Sequence, residues 1–483
     1  MQGLIFLQKN PILWVFGKEC DTLKMMVYRL YLLAVSANTS ANKGGFDVKD
    51  TYRTKPAGII ASIVFKQNFT EGRFHIMKKA IQIFTLCLSL LSGVTLSAQA
   101  YYSSYLPDYY QIEKGSQLSI ESNMPISVAR VSQIDTVDKK QNTGSSTSVM
   151  QLKMLGFIPI KAVAVDEIDE LSVALGGDNF GIKIFTSGVM VVGMTQVDSE
   201  QGAINPAKNA GIQTGDIILT INGQSVSSNE EVAKIIEESN GEEMTFYMQR
   251  EEKNFTVKFR ALRSLTDQKY KAGLWVRDSS AGIGTMTFYN PITGIYAGLG
   301  HAICDVDTGL VLPLSSGEIV GAQINSINKS SDGTTGELCG SFTSETLGDL
   351  QMNCELGVYG ALLHPETSQN IVKIALKQEV HTGSAQIYTT VDNEAPRYYD
   401  CEIQKIVYHN TKTQNMVVKI TDTELLEKTG GIVQGMSGSP IVQDGKLVAA
   451  LTHVFVNDPQ CGYAVFAENM YNQSLAVETK KAS

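Results

Sequence analysis

The chain has 483 residues, of which 43% are hydrophobic and 18% are charged, and its formal net charge is −9. A chain of this length is expected to form two to four domains, because domains usually hold about 100–200 residues. The composition is that of a folded protein and excludes a largely disordered one. The negative charge and the lack of a long basic run argue against nucleic-acid binding. Peptides are therefore the expected partners.

The first distinctive element is an apolar stretch within residues 77–100. It begins with two lysines after Met77 and ends with the small-residue sequence Ala-Gln-Ala, which is the pattern of an export signal with its cleavage site. Its length also suits an uncleaved membrane anchor. A buried core helix is the alternative, but it does not explain the lysines. We predict a signal peptide or membrane anchor here, and we interpret residues 1–76 as an upstream segment, with Met77 as a candidate native start.

Residues 101–175 begin with a polar, tyrosine-rich connector. Short alternating stretches follow at 116–120 and 156–161, and such stretches are typical of half-buried strands. We predict a linker and a small β unit in this region. No motif in it points to chemistry.

Five cysteines follow the apolar stretch, without a CxxC motif and without a histidine spacing typical of metal sites. We interpret them mainly as small buried residues, and one disulfide is compatible with their number. The sequence predicts no metal site and no cofactor. The five are Cys304, Cys339, Cys354, Cys401 and Cys461.

A glycine-punctuated pattern occupies residues 210–223, which read Ala-Gly-Ile-Gln-Thr-Gly-Asp-Ile-Ile-Leu-Thr-Ile-Asn-Gly. It combines a short helical or turn segment, a glycine break and a buried strand that ends in an Asn-Gly turn. A capping box, Ser228 with Glu231, then precedes an apolar helix face. The pattern resembles PDZ domains, and we predict a PDZ-like domain over residues 176–262.

A peptide groove is predicted on this domain. The stretch Gly-Ile-Lys-Ile suits the loop and edge strand with which PDZ domains bind a peptide by strand addition, and two apolar residues of the helix would line a side-chain pocket. The lysine would favour a terminal carboxylate. The alternative is that the apolar residues fill the core of the domain. The predicted groove residues are Gly181, Ile182, Lys183, Ile184, Val232 and Ile236.

The most informative stretch, residues 431–440, reads Gly-Ile-Val-Gln-Gly-Met-Ser-Gly-Ser-Pro. It reproduces the Gly-x-Ser-Gly-x-Pro pattern around the nucleophile of chymotrypsin-like peptidases, where a tight turn points backbone N–H groups at the developing oxyanion. The pattern predicts Ser437 as the nucleophile, with Ser439 as its competitor. Gly435 and Gly438 permit the turn. The N–H groups of Gly435 and Ser437 are the predicted oxyanion donors.

A serine hydroxyl needs an adjacent base that takes its proton. His301 follows an apolar strand in Gly-Leu-Gly-His-Ala-Ile, and its small neighbours leave it accessible. Its separation from Ser437 suits one catalytic residue in each of two barrels. His453 is the alternative base, although in the strand after the nucleophile it would instead line the substrate pocket. We predict His301 as the general base.

The third member of a catalytic triad is a carboxylate that holds the tautomer of the imidazole. Asp422 ends a strand-like run shortly before Ser437 and is the predicted member. Asp305, Asp307 and Asp392 are alternatives. An aspartate beside threonines is also typical of a helix N-cap, so chemistry alone leaves this assignment open.

The order of these elements resembles the stage IV sporulation protein B family, the PDZ-containing signalling serine peptidases of endospore-forming bacteria. The resemblance covers about residues 77–470. It rests on Gly-Leu-Gly-His at His301, Thr-Asp at Asp422, the serine motif, and Thr-His-Val-Phe-Val-Asn-Asp-Pro at 452–459. In that family an aspartate stands at the position of Asp422, which favours it as the third triad member.

The resemblance implies a serine endopeptidase that processes itself and cleaves a membrane-bound regulator. That cleavage would release an intramembrane metalloprotease, which then activates a sigma factor. The implied partners are a peptide or protein substrate, the chain itself, and the membrane-bound regulatory complex of the metalloprotease. The implied location is the forespore intermembrane space, with the chain anchored or secreted, and the PDZ domain would govern self-recognition and partner targeting.

The predicted fold is mainly β with short helices. A PDZ-like domain is followed by a chymotrypsin-like double β-barrel peptidase domain over residues 263–475. One alternative is a periplasmic-type quality-control PDZ protease, but such enzymes place the catalytic domain first. Another is an inactive peptide-binding scaffold, against which the retained serine and histidine argue.

Overall fold

The computed structural model describes residues 56–120, 124–132, 147–251, 253–366, 370–408 and 412–482. Most of the predicted upstream segment, residues 1–55, lies outside the described residues. One 3₁₀ helix, Lys377–Glu379, and five α-helices occur in these ranges. The α-helices are α1 (Pro56–Tyr105), α2 (Pro206–Asn209), α3 (Asn229–Glu238), α4 (Thr423–Thr429) and α5 (Ala467–Ala482).

Helix α1 contains the apolar stretch that was predicted as a signal or anchor. Its part from Lys78 to Tyr105 is long and apolar enough to cross a membrane, and no other helix in the described ranges has this property. A signal sequence meets the same criteria of length and composition. The helix continues past the Ala-Gln-Ala sequence at 98–100, and the side chain of Tyr102 is buried in the core of the small sheet that follows.

The predicted small β unit is a four-stranded sheet. Its strands are β1 (Tyr109–Glu113), β2 (Ile126–Ser132), β3 (Thr147–Met154) and β4 (Ile158–Ile168), in the order β1-β4-β3-β2. Buried and partly exposed side chains alternate along β3, which places Met150, Leu152 and Met154 in the core. The stretch at 116–120 is not a strand, but Leu118 from it is buried in the same core.

The PDZ domain surrounds a separate core. Its short strands are β7 (Val197–Ser199), β8 (Gly202–Ile204), β9 (Ile217–Ile221), β10 (Gln224–Ser225), β11 (Glu243–Arg250), β12 (Lys253–Arg260), β13 (Leu262–Arg263) and β14 (Tyr270–Lys271). The predicted capping box is present at the start of α3, where Ser228 Oγ accepts the N–H of Glu231 at 3.1 Å. Phe246 and Phe259 stack at 4.8 Å in the core.

Two long strands, β6 (Asn179–Met194) and β15 (Leu274–Tyr289), pair antiparallel along most of their length. One half of this ladder supplies Val189 and Val191 to the PDZ core, and the other half supplies Phe180 to the core of the peptidase. The predicted PDZ-like domain is therefore inserted into the fold of the predicted peptidase domain through shared strands. A single boundary at residue 262, as predicted, does not separate the two domains.

The remaining strands are β5 (Ser172–Leu175), β16 (Ile295–Gly298), β17 (Leu314–Asn328), β18 (Glu337–Asp349), β19 (Met352–Cys354), β20 (Gly357–Ala361), β21 (Ile371–Ile374), β22 (Gly383–Thr389), β23 (Arg397–Ile406), β24 (Met416–Ile420), β25 (Pro440–Gln443), β26 (Lys446–Phe455) and β27 (Asp458–Phe466). With β6 and β15, most of them form two six-stranded barrels in the region predicted as the peptidase domain. The first runs β15-β6-β17-β18-β20-β16 and closes where Gly348 of β18 pairs with Leu362 just after β20. The second runs β22-β23-β24-β27-β26-β25 and closes between β25 and β22. Strands β5, β19 and β21 flank them.

A bulge marks the point at which β15 passes from the PDZ domain into the first barrel. The register shifts between Arg277 and Ser279, so that two consecutive side chains reach different partners. Arg277 forms ion pairs with Asp305 and Asp307 in the peptidase. The carboxylate of Asp278 accepts the N–H of Asn229, the first residue of α3, at 2.9 Å.

The five cysteines that follow the apolar stretch are free thiols. Cys401 and Cys461 are buried, as the sequence suggested, whereas Cys304, Cys339 and Cys354 are partly exposed. The compatible disulfide is therefore not formed in the structure.

The predicted peptide groove on β6 is wrong, because the stretch 181–184 is not at an edge. It pairs with β15 on one side and with β17 on the other, so that no N–H or C=O row remains for an added strand. The side chains of Ile182 and Ile184 are buried in the first barrel. The Lys183 ammonium contacts the Glu318 carboxylate at 2.8 Å and is not free for a peptide carboxylate. Gly181 lies under the ring of Phe342, which a Cβ would meet at 2.5 Å.

The two helix residues of the predicted groove are core residues as well. Val232 and Ile236 are 2% and 6% exposed and belong to the hydrophobic core of the PDZ domain. The alternative considered for them, that they fill the domain's own core, is therefore correct.

The burial of β6 predicts losses of stability of different size for two adjacent substitutions. Ile184 is 1% exposed, whereas Phe185 on the other face of the strand is 49% exposed. We expect Ile184→Ala to lower the free energy of unfolding by about 2–5 kcal/mol, because it leaves a cavity in the core. Phe185→Ala is the matched control and should cost roughly 1 kcal/mol or less. Urea unfolding followed by circular dichroism measures both, and equal costs would contradict a buried central strand.

Candidate active site

The predicted nucleophile lies on a tight turn between α4 and β25. Gly435 and Gly438 have φ values of 99° and 96°, which side-chain-bearing residues rarely adopt. A Cβ on Gly438 would also lie 1.9 Å from the Thr285 carbonyl oxygen. Glycine is therefore required here by both conformation and space, as the motif indicated.

Two peptide groups of this turn are held by their carbonyl oxygens. The carbonyl of Gln434, in the peptide bond to Gly435, accepts the N–H of Leu338 at 2.8 Å. The carbonyl of Met436, in the peptide bond to Ser437, accepts the N–H of Ser439 at 2.9 Å. In a trans peptide group the N–H points away from the C=O, so these anchors also orient the N–H groups of Gly435 and Ser437. Neither N–H has a hydrogen-bond partner among the described residues. Both are therefore available to an oxyanion.

Strand β15 of the first barrel supports the same turn with two buried threonines. The Thr285 hydroxyl donates to the Gly435 carbonyl at 2.8 Å, and the Thr287 hydroxyl donates to the Gly438 carbonyl at 2.7 Å. The N–H of Thr285 donates to the Ser437 carbonyl at 2.9 Å. The turn is thus held from the opposite barrel, which places Ser437 at the junction of the two barrels.

The two candidate serines have different surroundings. Ser437 is partly exposed, and its hydroxyl donates to the Thr452 carbonyl at 2.7 Å. Ser439 is fully buried, and its hydroxyl contacts the Met436 carbonyl at 2.6 Å and the Thr389 hydroxyl at 2.8 Å. Only Ser437 is accessible to a substrate, and Ser439 serves the turn.

His301 follows β16 and lies close to this turn. Its Nδ1 is 2.8 Å from the carbonyl oxygen of Ala302, and since a carbonyl only accepts hydrogen bonds, this contact requires a proton on Nδ1. The neutral ring then carries its lone pair on Nε2. The ring of His453 packs against that of His301 with centroids 4.7 Å apart. His453 directly follows Thr452, whose carbonyl holds Ser437, so the structure brings the serine and both histidines together.

The surroundings of the two histidines keep them neutral. Desolvation lowers the pKa of His301 to about 4; the hydrogen bond to the Ala302 carbonyl opposes this shift, and the charge of a protonated His453 adds to it. Desolvation also lowers the pKa of His453. A neutral imidazole is the form that accepts a proton, so His301 has the protonation state of a general base.

The structure does not bring Asp422 to His301. One carboxylate oxygen of Asp422 accepts the N–H of Leu425 at 2.9 Å and caps α4, and the other accepts the N–H of Asp400 at 3.3 Å. The Nδ1 of His301 is already used by a backbone carbonyl. The contacts of Asp422 are therefore those of the helix N-cap that its neighbouring threonines also suggested.

The alternative aspartates have partners of their own. Asp305 and Asp307 pair with Arg277, and Asp392 pairs with Lys428 at 3.0 Å. None of these described carboxylates contacts an imidazole of the site. The residues that the sequence analysis missed are the buried threonines of β15 and the Ala302 carbonyl. The threonines occur in Gly-Thr-Met-Thr-Phe, which has the alternation of any half-polar strand, and a backbone carbonyl has no sequence signal.

Two family models match parts of the chain. The family model described as SpoIVB peptidase S55 matches residues 268–471, and a PDZ domain model matches residues 205–250. No curated protein matches the chain. The predicted fold class, a PDZ domain with a chymotrypsin-like peptidase, is confirmed.

Three solved structures are similar to parts of the chain. The PDZ domain of the SdrC-like protein from Listeria monocytogenes is 18% identical, covers 19% of this chain and 87% of its own, and has a TM-score of 0.16. The active form of the Rv3671c protease from M. tuberculosis is 13% identical over 41% of this chain and 74% of its own, with a TM-score of 0.24. The inactive form is 12% identical, covers 40% and 84%, and has a TM-score of 0.23.

The pKa of His301 is open to direct measurement. We expect its ring to stay neutral until the pH falls to about 4. His453→Gln removes a charge that opposes protonation of His301, so the midpoint should move upward. Titration of ¹⁵N-histidine-labelled protein by NMR measures both midpoints, and His301→Gln assigns the signal. A wild-type midpoint near the ordinary value of about 6.5 would show that the ring is not desolvated.

Proposed function

Because this chain carries the peptidase domain of the SpoIVB S55 family together with a PDZ domain, we propose that it is a serine endopeptidase of sporulation signalling. Ser437 is the nucleophile and His301 is the general base. The observation that carries the proposal is the arrangement at one junction of an accessible serine, a neutral histidine and two N–H groups that have no hydrogen-bond partner in the described part of the chain.

The chemistry follows from these groups. The Ser437 hydroxyl turns from the Thr452 carbonyl towards Nε2 of His301, which takes its proton as the oxygen attacks the peptide carbonyl. The N–H groups of Gly435 and Ser437 then stabilise the oxyanion, because their peptide groups are already fixed by the bonds from Leu338 and Ser439. The protonated His301 returns the proton to the leaving amine, and water hydrolyses the acyl-enzyme by the same steps.

A backbone edge beside Ser437 suits an extended substrate. Residues 453–455 at the end of β26 pair with β27 on one side, and no strand of the described ranges pairs with their other side. β25 ends its pairing with β26 at Ala450, next to the nucleophile turn. A peptide that adds here as a strand places its scissile bond near Ser437, which favours protein or peptide substrates in extended conformation.

The biological role in the proposal rests on the family resemblance. The enzyme processes itself and cleaves a membrane-bound regulator, which releases an intramembrane metalloprotease that activates a sigma factor. The place of action that the resemblance implies is the forespore intermembrane space. An apolar helix of sufficient length to span a membrane supports action at a membrane.

The nucleophile assignment is tested with two serine variants. We expect Ser437→Ala to abolish fluorophosphonate labelling and self-cleavage of the purified full chain, a loss of about 10⁴-fold or more, while the fold remains. Ser439→Ala is the matched control. It removes buried hydrogen bonds and should cost about 1–3 kcal/mol of stability, but it should still be labelled. Persistent self-cleavage in Ser437→Ala would refute the assignment.

The family resemblance implies that Asp422 is the third triad member, whereas its contacts are those of a helix N-cap. A second pair of variants distinguishes the two roles. Asp422→Asn keeps an acceptor for the Leu425 N–H, whereas Asp422→Ala removes it. From the present contacts we expect Asp422→Asn to be labelled at nearly the wild-type rate, and Asp422→Ala to lose about 0.5–2 kcal/mol of stability. A folded Asp422→Asn that is labelled about 10⁴-fold more slowly would instead establish the triad role.

A further inference from the structure

The peptide group between Ala302 and Ile303 links His301 to a side chain outside the predicted site. Its carbonyl oxygen accepts a hydrogen bond from Nδ1 of His301 at 2.8 Å, and its N–H donates a hydrogen bond to Oδ1 of Asn353 at 2.8 Å. Asn353 lies in β19, on the strand beside β20 in the first barrel. The imidazole and the Asn353 amide therefore hydrogen-bond to opposite ends of one planar group.

The Asn353 amide is held in one orientation by its own partners. Its Nδ2 donates to the carbonyl oxygens of Ile303 at 2.9 Å and Leu312 at 3.0 Å. Two carbonyls need the donor end and one N–H needs the acceptor end, so a flipped amide would lose all three bonds. Asn353 thus closes the loop 303–312 at its base and fixes the plane of the peptide group that contacts His301.

We propose that Asn353 is the positioning residue of the catalytic base: it fixes the Ala302–Ile303 peptide group, which in turn holds His301 in the tautomer that leaves Nε2 free for the Ser437 proton. In a serine peptidase triad a carboxylate performs this task directly. Here the Ala302–Ile303 peptide group lies between the Asn353 amide and the imidazole of His301. The hydrogen bond from its N–H to Asn353 also polarises its carbonyl, which makes the carbonyl oxygen a stronger acceptor for His301. The inference rests on the proposed role of His301.

The chain offers a matched control for the experiment. Asn393 contacts Ile324 as Asn353 contacts Ile303: its Oδ1 accepts the Ile324 N–H at 2.8 Å, and its Nδ2 donates to the Ile324 carbonyl at 2.7 Å. Asn353→Leu and Asn393→Leu therefore remove similar bonds from similar backbone. Only the first bears on the peptide group at His301.

The test measures the rate of fluorophosphonate labelling of the full chain against probe concentration. For Asn353→Leu we expect the maximal rate constant to fall by about 10²-fold with an unchanged half-saturating concentration, because the base is misplaced and the probe site is intact. Asn353→Asp keeps the acceptor for Ile303 and should be labelled faster than Asn353→Leu. Asn393→Leu should be labelled like the wild type. A wild-type rate in folded Asn353→Leu, or an equal loss in Asn393→Leu, would overturn the inference.

The tautomer gives a readout that does not depend on activity. The ¹⁵N shifts of the two ring nitrogens of His301 should show a proton on Nδ1 in the wild type and in Asn353→Asp, and a changed distribution in Asn353→Leu. A proton on Nε2 in the wild type overturns the inference even if Asn353→Leu does not fold. If Ser437→Ala and His301→Ala are both labelled normally, the proposed function fails, and Asn353 is then not the positioning residue of a catalytic base. A changed tautomer in Asn353→Leu would in that case show only that the ring is held through the Ala302–Ile303 peptide group.

Discussion

Strands β6 and β15 pair along most of their length, and each domain takes one half of this ladder. The PDZ core closes over one half and the first peptidase barrel over the other. In the barrel half, β17 occupies the remaining edge of β6. The same strand β15 then supplies the threonines that hold the nucleophile turn. The position of Ser437 therefore depends on a ladder that starts inside the PDZ domain.

The bulge of β15 at Arg277 and Asp278 also joins the two domains, through the side chains of these two residues. Asp278 reaches the first N–H of α3 in the PDZ domain, where a carboxylate is favoured by the helix dipole. Its neighbour Arg277 reaches Asp305, a fully buried carboxylate in the loop that begins shortly after His301. A buried carboxylate of this kind is stable only with such a partner. The loop that Asn353 closes at its base is thus also held from the PDZ side.

The sequence was most informative where a single residue type is required by local geometry. The turn around Ser437 was predictable because its glycines are dictated by positive φ and by close contact with β15. The PDZ pattern was predictable because an Asn-Gly turn and a capping box are local signals. His301 was preferred among the candidates for its small neighbours, and its ring packs against that of His453, which follows Thr452 beside the turn.

The remaining features depend on partners that are distant in the chain. A central strand and an edge strand have the same alternation, so nothing local in 181–184 revealed that β17 would cover its second edge. Asp422 precedes a helix, and an N-cap and a triad carboxylate look alike in such a sequence. Asn353 acts through a backbone group 50 residues away, for which no motif exists.

The insertion through paired strands also bears on how the chain folds. The first barrel cannot close until residues on either side of the PDZ domain meet, and for a flexible segment of that length this closure is entropically costly. A PDZ domain that folds first brings Met190 beside Arg277 and leaves two aligned strand ends as a template. The barrel then grows from neighbouring residues, which lowers its effective contact order. Excision of the PDZ domain would therefore remove an assembly step of the peptidase along with a binding module.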